Sequence, residues 1–138
     1  MDYKQKLNDL LLITVQQNAS DLHLAVGRRP TIRIDGNLIP LQKEEILSPE
    51  AVEGLVLELL TPEQRAVLPQ EKEIDFAYVF EDKARFRVNV YFQRGFLSAA
   101  LRTIPSKIRT IEELNLPPVL HDFTKPNQGF VLMVGPAG

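Results

Sequence analysis

The 138-residue chain reads as an α+β fold, an antiparallel sheet with helices packed on one side, on three observations. Two segments, Asp21–Val26 and Arg85–Gln93, alternate apolar and polar residues strictly, as half-buried strands do. A two-residue turn signal, Asp35-Gly36, sits between two strand-like runs. Helical stretches precede or follow blocks of strands instead of alternating with them one by one, which favours a segregated α+β arrangement over a parallel sheet.

The elements follow in order. Residues 2–17 carry Leu7, Leu10, Leu11 and Val15 at helical spacing, and Asn18-Ala19-Ser20 closes that helix. In Asp21–Val26, Leu22, Leu24 and Val26 share one face while Asp21, His23 and Ala25 share the other. Gly27-Arg28-Arg29-Pro30 turns the chain into a hairpin, Thr31–Ile34 with Asn37–Leu41. Ser48-Pro49 starts a helix, with serine as N-cap and proline in the first turn. Thr61-Pro62 starts another, and Gln64 completes a capping box. Glu73–Phe80, Arg85–Gln93 and Phe96–Ile104 are strands, the last stopped by Pro105. Thr110–Leu114 is expected as a short helix, and the apolar run Gly129–Val134 as a buried parallel strand. One sheet with its helices on one side is PAS-like in outline. Pro105, Pro117 and Pro118 place a domain boundary between Thr103 and Leu116.

Composition removes several functions. Without cysteine there is neither a disulfide framework nor a thiolate metal site, and His23 and His121 lack ligand spacing, so no metal site is expected. A net charge of −2 argues against nucleic acid as a general partner. No apolar run reaches the length of a membrane span and no signal peptide opens the chain, so a soluble, cytoplasmic protein is expected.

Charge is unevenly placed. Lys83, Arg85, Arg87, Arg94, Arg102, Lys107 and Arg109 follow one another with no intervening acid, which marks a local anion site in an acidic chain. In Arg85–Gln93 the residues Phe86, Val88, Val90 and Phe92 point to the core, and Arg85, Arg87, Asn89, Tyr91 and Gln93 share the other face. A hairpin through Arg94-Gly95 would let Arg87, Arg94 and Arg102 share a surface, and planar guanidinium forks suit phosphate. The plainer alternative is a solvated face whose arginines pair with the acids of Glu71–Asp75. A single-stranded nucleic-acid platform is weakened by Phe92 pointing inward.

The chain ends on a core-type run followed by Gly135-Pro136-Ala137-Gly138. A strand entering a glycine-rich turn is the approach to a phosphate-binding loop, G-x-x-x-x-G-K-[ST], with Gly135 at its first position and Gly138 at its fourth. A flexible turn is the alternative. The second glycine, the lysine and the hydroxyl residue that serve phosphate and magnesium are not among these residues.

Ser20, Asp21 and His23 invite a hydrolase reading, but three near-consecutive residues cannot easily adopt triad geometry. A structural or interface role is expected for them, and no catalytic residue is expected in this chain.

Three segments together resemble the PilT family of type IV pilus retraction ATPases, within the type II/IV secretion ATPase superfamily. The first is Ala19-Ser20-Asp21-Leu22-His23-Leu24 with Gly27, Pro30, Arg33 and Gly36. The second is Asp75-Phe76-Ala77-Tyr78 with Ala84–Val90 and Gln93-Arg94-Gly95. The third is Leu101–Pro105 with Glu113–Pro117, Gly129 and Gly135–Gly138. The resemblance covers nearly the whole chain in order.

It implies a PAS-like N-terminal domain over residues 1–104, a linker over 105–116, and the beginning of a RecA-like α/β ATPase domain over 117–138. It also implies a full-length homohexamer that uses ATP and Mg, powers pilus retraction and twitching motility, and sits at the inner membrane against a pilus platform protein. Arg87, Arg94 and Arg102, with Gly135, Pro136, Ala137 and Gly138, are the nucleotide-binding residues so implied. The parent would hydrolyse ATP. This chain, lacking the loop lysine and hydroxyl residue, is expected to be inactive and without a cofactor. Two other readings are an extension or secretion ATPase of the same superfamily and a standalone PAS-like sensor or interaction module.

Overall fold

The computed structural model describes residues 2–135. These divide into two units, one ending at Ser106 and one beginning at Lys107. The first unit runs α1 (Tyr3–Gln16), β1 (Asp21–Ala25), β2 (Thr31–Ile34), β3 (Asn37–Pro40), α2 (Pro49–Leu59), α3 (Pro62–Glu71), β4 (Glu73–Phe80), β5 (Ala84–Gln93) and β6 (Phe96–Ile104). All neighbouring strands pair antiparallel, in the order β3-β2-β1-β6-β5-β4. Chain-order hairpins build each half, and β1 joins β6 to fuse the halves into one six-stranded sheet.

Local chemistry explains the boundaries. The Asp2 carboxylate accepts from the Gln5 amide to cap α1, and Ser48 does the same for Ala51 at α2. Thr61 and Gln64 form the full reciprocal capping box of α3. Asp35-Gly36 and Arg94-Gly95 both have positive φ at the two central residues, the twist that tight hairpins need.

One sheet face is the core face. Leu22, Leu24, Ile32, Phe86, Val88, Val90, Ala99 and Leu101 are buried there, with Leu7, Leu10 and Leu11 of α1 and Val52, Leu55, Val56 and Leu59 of α2. Burying such side chains supplies ~1.5–3 kcal/mol each, so this cluster holds the unit together. With that face committed to packing, period-two alternation sends Arg87, Asn89 and Tyr91 to the other face, where the candidate site lies.

The second unit departs from expectation. Gly129–Val134 is neither a strand nor buried: Phe130 is 89% exposed and Leu132 73%. An apolar run states a demand for burial, but a strand exists only when a neighbouring strand takes up its N–H and C=O groups, and none among the described residues does. Thr110–Leu114 is a turn, not a helix. Its capping box does form, with Thr110 Oγ1 and the Glu113 carboxylate each accepting from the other's amide. Asn115 then enters the left-handed region at φ 54°, and Pro117 and Pro118 follow, so the turn cannot propagate. A single-turn helix, α4, spans Leu120–Phe123 instead.

Candidate functional site

The sheet's outer face is ordered by register. Across one row stand Arg33 of β2, Asp21 of β1, Arg102 of β6 and Arg87 of β5. Arg87 and Arg102 are direct cross-strand partners, which puts their Cβ atoms roughly 5 Å apart. Two like charges so placed repel, and an acid stands on each side of the pair to offset this. Arg87 binds Asp75 of β4 through a two-pronged contact, Nε to Oδ1 at 3.1 Å and Nη2 to Oδ2 at 2.9 Å. Arg102 donates from Nε to Asp21 Oδ1 at 3.1 Å.

Asp21 is the hinge of this row. Its side chain is only 10% exposed, yet it accepts from Ser20 Oγ at 2.7 Å and faces Arg33 Nε at 3.4 Å besides Arg102. Burial alone would raise its pKa, but the hydrogen bonds from Ser20 and Arg102, with the nearby positive charge, hold the carboxyl below its ordinary value. The Arg87 hydrogen bonds likewise hold Asp75 down, and Asp75 holds Arg87 up. Both acids are therefore carboxylates at neutral pH.

The guanidinium groups are oriented without being consumed. Among the described residues, Arg102, 73% exposed, uses only its Nε–H, and Arg87, 69% exposed, keeps Nη1 free. A guanidinium has five N–H donors, so each retains part of its fork toward solvent. Two adjacent, pre-oriented forks can hold a phosphate group, which would compete with Asp75 for Arg87. The ordinary reading of the arginines as partners of the Glu71–Asp75 acids is met at Arg87, and it leaves this capacity intact.

Arg94 does not join them. It lies seven residues beyond Arg87, at the β5–β6 turn, roughly 23 Å away at ~3.3 Å per strand residue. There it lines a separate cavity of about 470 Å³ with His23, Arg28 and Arg29. Sequence reasoning placed Arg94 with the other two and treated Arg28 and Arg29 only as a turn. Their meeting depends on β1 lying beside β6, which no local pattern announces.

Ser20, Asp21 and His23 form no proton relay. The Ser20 hydroxyl points to Asp21, and the buried His23 Nε2 has no hydrogen-bond partner among the described residues. Burial pushes the His23 imidazole below its ordinary pKa, Arg33 and Arg102 add to this, and Asp21 opposes it. Gly135 is exposed. Pro136, Ala137 and Gly138 lie outside the described residues. Among the described residues no group of three potential ligands could hold a metal ion, and no helix is long and apolar enough to cross a membrane.

No protein-family model matches the chain. The chain is 37% identical over 137 residues to the type IV pilus retraction ATPase PilT of Pseudomonas aeruginosa, an alignment covering 96% of the chain and 38% of that protein. It is 34% identical over 129 residues to the type IV pilus ATPase PilU of the same organism, covering 94% of the chain and 34% of PilU. A crystal structure of the pilus retraction motor PilT with bound ADP superposes with a TM-score of 0.71 at 33% identity, over 82% of the chain and 33% of that protein. The chain thus spans little more than a third of the relatives it matches.

Proposed function

The chain belongs to the PilT-like family of type II/IV secretion ATPases and has the fold of their N-terminal domain, and on that premise we propose that it works as the regulatory domain of a hexameric pilus-retraction motor. The observation that carries the proposal is the register pairing of Arg87 with Arg102 on the solvent-facing side of the sheet. In this role the two guanidinium groups hold phosphate oxygens of a nucleotide whose remaining contacts come from an ATPase domain. An arginine fixed on one domain and touching a phosphate held by another links nucleotide occupancy to the angle between them. Asp21 and Asp75 supply the positioning, since they fix the Nε edges and leave other donors outward. Arg94, distant along β5, takes no part in holding that phosphate pair.

In the same reading, residues 1–104 are the PAS-like domain, 105–116 the linker and 117–138 the opening of a RecA-like domain. The exposed run Phe130–Val134 supports this: it is composed as a central strand and would become one once parallel neighbours flank it. Gly135–Gly138 would then begin the phosphate loop. ATP and Mg belong to the whole motor, and the partners are five further copies and a pilus platform protein at the inner membrane.

The test is made on the parent protein and its host. The purified parent is expected to hydrolyse ATP and to sediment as a hexamer, and disruption of its gene should abolish pilus retraction and twitching. A parent without ATPase activity, or a disruption that leaves twitching intact, would remove the motor reading.

A further inference from the structure

The cavity at the β5–β6 turn is separate from the Arg87–Arg102 pair and has the composition of a ligand site. Its volume of about 470 Å³ is in the range of small-molecule pockets. No acidic side chain lines it, although the chain as a whole is acidic. Arg28 and Arg94 make no ion pair and no side-chain hydrogen bond among the described residues, in contrast to the acid-matched Arg87 and Arg102. Arg29 is fixed by donating to the Glu44 carbonyl. The buried His23 Nε2 has no partner among the described residues and borders the same space. Buried polar atoms are nearly always satisfied, so a ring nitrogen left open at a cavity wall points to something that fills it.

Arg94 adds an independent observation. It has φ 53°, a left-handed conformation that asparagine, aspartate and glycine adopt at less cost. The equivalent position of the other hairpin is Asp35, at φ 48°. Turn geometry alone therefore does not select arginine at this position.

We propose that this cavity binds the phosphate group of a small phosphorylated molecule, with Arg28 and Arg94 as its charged arms and His23 Nε2 facing the rest of the ligand. The mouth is amphipathic, since Phe96 and Leu38 are 47% and 52% exposed and border the same space. The apolar body of the ligand rests on them. The two guanidinium groups supply the charge that attracts the phosphate, and the apolar rim supplies the preference for an organic ester over the inorganic ion.

The experiment titrates the 138-residue chain at low salt with phenyl phosphate, following backbone amides by two-dimensional NMR. Saturable shifts are expected at His23, Thr31, Gln93 and Ser98, with binding at least threefold tighter than for inorganic phosphate and none for phenol. Arg94→Asn suits the turn and should fold at least as well, yet weaken phenyl phosphate binding at least tenfold. Arg28→Gln should act similarly, and Arg87→Gln should leave binding within twofold. Unchanged affinity in Arg94→Asn, shifts centred on Arg87 and Arg102, or equal shifts with phenol would each overturn the proposal. None of these readouts uses ATP hydrolysis, so the proposal can fail while the motor reading stands, and the reverse.

Discussion

Replacing Asp21 by Asn tests whether one buried carboxylate organises the charged row. Asparagine keeps the shape but loses the charge, and its amide nitrogen turns a donor toward one of the surrounding donors, Ser20, Arg33 or Arg102. Each hydrogen bond to a charged group is worth ~1.5–3 kcal/mol where it is well shielded. Removing one partner of a fully buried ion pair costs ~3–5 kcal/mol. Here Arg33 and Arg102 are 35% and 73% exposed, so both recover water when the carboxylate is lost. The net loss should be about 2 kcal/mol, which for a unit near 100 residues lowers Tm by about 9 °C.

The pH dependence gives the sign. Asp21 has a folded-state pKa below its ordinary value, so its stabilisation is present above the ordinary carboxylate range and is lost as pH falls through the lowered value. Urea unfolding of both proteins at pH 7 and near pH 2 is the assay. The gap should be near its full size at pH 7 and smaller at the acid end. A gap under ~0.5 kcal/mol at pH 7, or one unchanged by acid, would refute the reasoning.

Other outcomes follow from the same geometry. Arg102→Gln should cost only about 0.5–1 kcal/mol in the same unfolding assay, since most of its guanidinium is in water. His23 has a folded pKa lowered by burial, so its neutral form is favoured in the fold. That contribution is complete above about pH 6.5 and is lost as pH falls from there toward the lowered value; His23→Gln should flatten the stability curve in that window. Gly54→Ala should destabilise by about 1–2 kcal/mol despite better helix propensity, because a Cβ there would overlap the Tyr3 ring; a Tyr3→Ala, Gly54→Ala double variant measured by thermal melting should recover part of the loss.

Much of the fold was legible because its signals are local. Alternation in Arg85–Gln93 placed Phe86, Val88 and Val90 in the core, while Phe92, expected there too, is 37% exposed near the strand's end, and Asp35-Gly36 marked its turn with correct backbone chemistry. The capping box at Thr61 and Gln64 formed as its spacing required. What was not legible is non-local. The bond from Arg102 to Asp21 joins residues 81 positions apart, and nothing in either segment names the other. The same β1–β6 pairing brings Arg28 and Arg94 to one cavity and separates Arg94 from Arg87 and Arg102. The run Gly129–Val134 stays exposed and unpaired among the described residues for a related reason: hydrophobicity reports that a segment seeks burial, while strand formation needs a partner that the pattern does not contain.

The proposed role of the arginine pair is tested most directly by steady-state ATP hydrolysis of the full-length motor that the proposal invokes, carrying Arg87→Gln or Arg102→Gln, with Arg94→Gln as comparator and thermal melting alongside. The result expected is a loss in kcat of tenfold or more for the first two, about 1.4 kcal/mol or more of lost transition-state stabilisation, with Arg94→Gln much closer to wild type and all three still folded. Wild-type turnover in both Arg87→Gln and Arg102→Gln would contradict the assignment of these guanidinium groups to a nucleotide phosphate.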